Sequence, residues 1–159
     1  MFERGDEGDK FKLDEVMEAG ALLLGRVTYE GFAEAWPSRE GDFADKFNNM
    51  PKFVVSKTLD QPDWNNTTVI KDDVAGEVSK LKQEFGADIL VNGSGQLLQA
   101  LIEQDLVDEY RLMVFPVVLG KGKRLFPDLS SASALRLSDT KPVGECVILT
   151  LEPAGRRAE

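Results

Sequence analysis

The chain has 159 residues, 42% of them hydrophobic, which is enough for one domain around a single buried core. Its formal charge of −9 and the lack of a long basic run argue against nucleic acid or an anionic membrane as the main partner, and no apolar run reaches the length of a membrane span. One cysteine and no histidine exclude an internal disulfide, Ser-His-Asp and Cys-His catalysis, and the usual zinc sites, so hard chemistry would fall to a bound cofactor. The polar stretch Met1 to Lys10 is not signal-like, and the expectation is a soluble, cytoplasmic, single-domain protein over residues 1–159 with no metal site.

Phe11, Leu13, Val16 and Met17 predict a short amphipathic helix ending near Ala19 and Gly20. Ala21 to Leu24 is continuous and apolar, as in a strand buried on both faces, and stops at Gly25 and Arg26. Thr28 is placed to cap the next helix, whose Tyr29, Phe32, Ala33 and Trp36 recur at helical spacing before Pro37. Phe43, Phe47 and Met50 predict another turn or two of helix. Phe53 to Val55 and Thr67 to Ile70 are strands. Asp72 or Asp73 caps a helix carrying Val74, Val78, Leu81 and Phe85 on one stripe, and Gly86 ends it.

Ile89, Leu90 and Val91 then form a strand, broken by Asn92 to Gln96, and Leu97, Leu98, Leu101, Ile102 and Leu106 resume as a helix. Gly93, Ser94 and Gly95 read either as a tight strand-to-helix connection or as a place where helix N–H groups meet an anion. After Asp108 the pattern changes. Tyr110 to Leu119 predicts a long strand with a bulge or edge at Pro116, and Gly120 to Lys123 a basic loop. Ala134 to Leu137 and Cys146 to Leu151 are two final strands, and Pro153 to Glu159 is expected to fray. Strands alternating with helices, then a run of strands, predict an α/β fold with a mostly parallel sheet and an antiparallel C-terminal edge.

Three strand ends carry related chemistry. Gly25, Arg26 and Thr28 offer a close backbone, a guanidinium and a hydroxyl; Ser56, Lys57 and Thr58 offer two hydroxyls and an ammonium; Gly93, Ser94, Gly95 and Gln96 offer the glycine turn. Alone, Arg26 is more often a surface charge and Ser56 to Thr58 more often an ordinary loop. In open α/β sheets ligands collect at the carboxyl ends of strands, and together the three point to a ligand with several phosphates.

The segment Gly25 to Glu30, then Val54, Val55 and Ser56, then Ile89 to Gly95, resembles in order and spacing the three cofactor-binding segments of the dihydrofolate reductase superfamily. Val107 to Phe126, with Asp108, Glu109, Pro116, Gly120, Gly122, Leu125 and Phe126, is similar to one branch, the reductase (RibD C-terminal) domain of riboflavin-biosynthesis proteins. The resemblance spans about Lys10 to Leu151 and implies a three-layer α-β-α fold with an NADPH site. It places Arg26 to Thr28 on the 2′-phosphate and pyrophosphate, Ser56 with Lys57 and Thr58 on the 2′-phosphate side, and Gly93 to Gln96 over the pyrophosphate. Charged hydrogen bonds of about 1.5–3 kcal/mol each let Arg26 and Lys57 favour NADPH over NADH by roughly tenfold to a few hundredfold.

Relatives of this kind begin with a strand and loop before the helix near Phe11, and Met1 falls within that loop. The first strand is therefore expected to be absent, leaving ladder groups unpaired on two neighbours. No catalytic acid is assigned; Asp14 and Glu15 lie nearest that region and read as solvated helix residues. Phe32 and Trp36 read either as an apolar wall for a heterocyclic substrate or as core. The resemblance implies an NADPH-dependent reductase, related to the step that reduces the ribosylaminouracil phosphate of riboflavin synthesis, acting on a small heterocyclic or carbonyl substrate. The alternative is a non-catalytic NADP-binding module. A homodimer is expected through Met113 to Leu119.

Overall fold

The computed structural model describes residues 3–126 and 128–155. The elements in chain order are α1 (Gly5–Glu18), β1 (Ala21–Gly25), α2 (Arg26–Ala35), α3 (Asp42–Asn49), β2 (Lys52–Val55), β3 (Thr67–Ile70), α4 (Val74–Glu84), β4 (Ile89–Val91), α5 (Gly95–Glu103), β5 (Tyr110–Val114), β6 (Leu135–Val143) and β7 (Cys146–Pro153). Leu13–Leu106 forms one compact unit; the segment up to Lys12 and the chain from Val107 onward form another.

The Leu13–Leu106 unit is built on a parallel sheet in the order β3-β2-β1-β4. β1 runs through the middle, and Ala21 to Leu24 are all buried, as their unbroken apolar run requires of a strand covered on both faces. Its register sets Gly25 opposite Val55 and Leu23 opposite Val91. β4 pairs on one side only among the described residues. An aromatic cluster fills the core: Trp36 stacks on Phe43 at 4.9 Å between ring centres and meets Phe47 at 4.8 Å, while Phe32 contacts Phe47, Trp36 and Trp64.

Inside this core sits an ammonium. Lys52, the first residue of β2, is fully buried, and its Nζ donates to the carbonyls of Asn48 (2.8 Å), Met50 (2.9 Å) and Asn65 (2.8 Å). The Trp64 ring lies 4.3 Å from the same nitrogen. The three carbonyls and the ring favour the cation, whereas burial pushes the lysine pKa down to about 8. The side chain thereby ties the end of α3 to the turn before β3. Trp64 Nε1 donates to Asn48 Oδ1 at 2.8 Å, and the Trp64 N–H donates to the hydroxyl of buried Tyr29 at 3.0 Å, which binds α2 into the same network.

The other unit carries an antiparallel sheet, β5-β7-β6. β5 stops at Val114, short of the predicted Leu119, because Pro116 has no N–H to extend the ladder. No helix or strand occurs among described residues from 115 to 134. β6 is longer than predicted: it reaches Val143, carries an irregularity between Leu137 and Asp139, and accommodates Pro142 because it is an edge strand. A two-residue turn at Gly144 and Glu145 joins it to β7, with Gly144 at φ +58. Pro153 closes β7 opposite Leu135, so the predicted fraying does not begin there; residues 156–159 lie outside the described residues.

α1 starts six residues before the predicted Phe11, since its first turns are polar and carry no apolar period; Asp6 and Glu7 suit the positive end of a helix. No strand precedes it among the described residues. Glu15 corrects a second expectation: it is buried, only 6% exposed, on the side of α1 that also buries Ala19 one turn on, while Asp14 is exposed. Asp73 does cap α4, accepting the Gly76 N–H, but Phe85 in extended conformation, not Gly86, ends that helix. Among the described residues, no helix is long and apolar enough to cross a membrane.

Candidate functional site

The predicted site residues lie at the carboxyl ends of three neighbouring strands, β2, β1 and β4. Val55 is level with Gly25, and β4 ends at Val91 opposite Leu23, with Gly93 two residues on. Strands in a sheet are about 4.8 Å apart, so the three turns stand within roughly 10 Å of one another.

Two of them are interlocked. The Gly25 N–H donates to Ser94 Oγ at 2.9 Å, the Ser94 N–H donates to Thr28 Oγ1 at 3.2 Å, and Ser94 Oγ donates to the Asn92 carbonyl at 3.1 Å. Thr28 therefore does not cap α2, as its position in sequence suggested. That helix begins at Arg26 directly after β1, so Thr28 is already in its first turn and its hydroxyl faces β4.

This lock holds a strained backbone. Gly93 and Ser94 are both left-handed, at φ +57 and +58, a conformation that costs a non-glycine residue about 1–2 kcal/mol. A Cβ on Gly93 would come within 3.4 Å of Thr28 Oγ1, whereas one on Gly95 would meet nothing within 4 Å. The chain is pressed together on the inner side of the turn and open on the outer side.

α2 and α5 both start here, with Gly25 and Ser94 at their N-caps, and neither receives a side-chain capping bond. Their first N–H groups are left for water or an anion. Gly93, Gly95 and Gln96 are exposed, as are Lys57 and Thr58 at the neighbouring end of β2. Ser56 is buried, and its Oγ accepts the N–H groups of Thr58 (3.2 Å) and Leu59 (3.1 Å), which folds that turn over the strand end. Arg26 is half exposed and its Nη1 pairs with Glu30 Oε1 at 3.2 Å. Uncapped helix starts, an open glycine and two cations at one sheet edge suit a ligand bearing more than one phosphate.

Phe32 and Trp36 do not stand with these residues. Both are packed into the aromatic core of α2, α3 and Trp64. Neither Glu30 nor Asn92 was among the candidates; the spacing of Arg26 and Glu30, four apart on one helix, was the available signal for the first. Among the described residues no three His, Cys, Asp or Glu side chains are grouped as metal ligands.

Residues 3–149 match the RibD C-terminal domain family. The chain belongs to that family. It is 32% identical over 140 residues to the uncharacterized Bacillus subtilis (strain 168) protein YyaP, covering 85% of this chain and 74% of YyaP, and 31% identical over 143 residues to YwjB of the same organism, covering 90% and 79%. Among solved structures, a Shewanella sp. PV-4 protein assigned to riboflavin biosynthesis superposes with a TM-score of 0.74 at 20% identity, covering 98% of this chain and 85% of the other. Acinetobacter baumannii RibD superposes at 0.68 and 14% identity, covering 94% of this chain, which spans 51% of that protein. A pyrimidine reductase-like protein of Corynebacterium diphtheriae gives 0.66 and 14%, covering 97% and 84%. The RibD C-terminal domain chain thus has the dihydrofolate reductase-like fold of these proteins.

Proposed function

We propose that this protein binds NADPH across the carboxyl ends of β2, β1 and β4 and is a reductase acting on a C=N or C=O bond of a small polar heterocyclic or sugar-like substrate. The observation that carries the reading is the Gly25–Ser94–Thr28 lock, which sets two uncapped helix starts side by side in a family that includes reductase domains. When bound, the nicotinamide supplies the hydride. The chain's own part is to hold and orient the nucleotide: the α2 and α5 N–H groups and the Gly93–Gln96 turn toward the pyrophosphate, Arg26 and Lys57, with Ser56 and Thr58, toward the 2′-phosphate. The names of the RibD and pyrimidine reductase-like neighbours support a ribosylaminopyrimidine as the first substrate to try.

Titration of the protein with NADPH and NADH, followed by measurement of NADPH oxidation with pyrimidine, pterin and carbonyl substrates, tests this. Binding that favours NADPH, with substrate-dependent oxidation, is expected. Exposed Val118 and Leu119, at 96% and 71%, support association of two copies, a feature shared by the second reading, a dimeric NADP-binding module without turnover. Tight NADPH binding with no oxidation across the panel would favour that module.

A further inference from the structure

We propose that Glu30 sets how strongly the site prefers a 2′-phosphorylated nucleotide, by holding the guanidinium that such a phosphate must take; this rests on the nucleotide-binding reading above. Arg26 opens α2, and Glu30 stands one turn further along the same face, with Nη1 and Oε1 3.2 Å apart and both side chains 49% exposed. Lys57, at the neighbouring strand end, has no ion-pair partner among the described residues, so of the two cations offered to a phosphate only Arg26 is held by a carboxylate.

Chemistry makes this pairing selective. A 2′-phosphate competes for Arg26 with a carboxylate that stays nearby after the exchange and repels it. A nucleotide with a free 2′-hydroxyl requires no exchange. Glu30 therefore weakens NADPH while leaving NADH nearly unaffected. Because the pair is solvent-exposed its own strength is modest, and the larger part of the effect is charge repulsion at the bound phosphate.

The test is equilibrium titration of wild type, Glu30→Gln, Arg26→Ala and the double variant with NADPH and with NADH, each fold checked by circular dichroism. Glu30→Gln is expected to tighten NADPH by about three- to tenfold and to shift NADH by less than about twofold, with the NADPH gain shrinking to under about twofold once Arg26 is gone. An unchanged or lowered NADPH-to-NADH preference in Glu30→Gln, or a gain of equal size without Arg26, overturns the proposal while leaving the cofactor site standing. Wild type that binds neither nucleotide overturns both.

Discussion

The Ser94 hydroxyl accepts the backbone N–H of Gly25 at 2.9 Å across 69 residues of sequence, and the Ser94 N–H is donated in turn to Thr28. Ser94 uses its hydroxyl and its N–H to hold two turns together. Ser94→Ala is therefore expected to lower stability by about 1–2 kcal/mol, through the lost acceptor of a half-buried N–H, and to weaken NADPH and NADH by similar factors. Chemical denaturation and paired titrations check this; a loss confined to NADPH would instead put Ser94 at the 2′-phosphate.

Gly93 offers a sharper test of the same turn. Gly93→Ala places a methyl group 3.4 Å from Thr28 Oγ1 at φ +57, and should cost about 1–2 kcal/mol. Gly95→Ala, where the space is open and φ is not left-handed, should leave stability nearly unchanged while weakening nucleotide binding. Thermal unfolding with and without NADPH separates the two; equal stability losses would show that the open side of the turn is a packing surface.

Arg26→Ala should weaken NADPH by roughly tenfold or more and NADH by much less, the signature of a guanidinium on the 2′-phosphate. Equal losses for the two nucleotides would remove it from that role.

Lys52 predicts a pH dependence. Its pKa in the folded protein, about 8, lies below the ordinary lysine value near 10.5, so between those pH values the unfolded chain holds a proton that the folded chain has released. Unfolding free energy contributed by this group is lowest below pH 8 and rises through that window. Lys52→Met should destabilise the protein by about 3 kcal/mol at neutral pH, because one buried and two partly buried carbonyls lose their donor. The stability difference between wild type and variant should then widen as pH climbs from 8 to 10; a difference that stays flat would mean the folded lysine titrates normally.

Much of this was legible in the sequence because each parallel strand carries a short run of apolar or β-branched residues, Ala21–Leu24, Phe53–Val55, Thr67–Ile70 and Ile89–Val91, bounded by polar or glycine residues. Ala21–Leu24 and Thr67–Ile70 emerged where expected, and the three loops that follow β1, β2 and β4 are neighbours because those strands are. What could not be read were long-range exchanges of polar partners. Thr28 has the right residue type for a cap, yet β1 runs into α2 without a linker and its hydroxyl goes to Ser94. Nothing local in the sequence marks Lys52, just before the apolar run Phe53–Val55, as the donor to three backbone carbonyls from α3 and the turn before β3. The length of β6 was hidden for another reason: beyond Leu137 it is exposed along nearly all its length and its apolar alternation stops.

The most direct test is backbone hydrogen exchange with and without saturating NADPH. Concerted protection of the amides at 25–28, 56–58 and 93–96, at one and the same nucleotide concentration, is the predicted result. Protection of a single turn, or of none, would contradict a shared grip on one nucleotide.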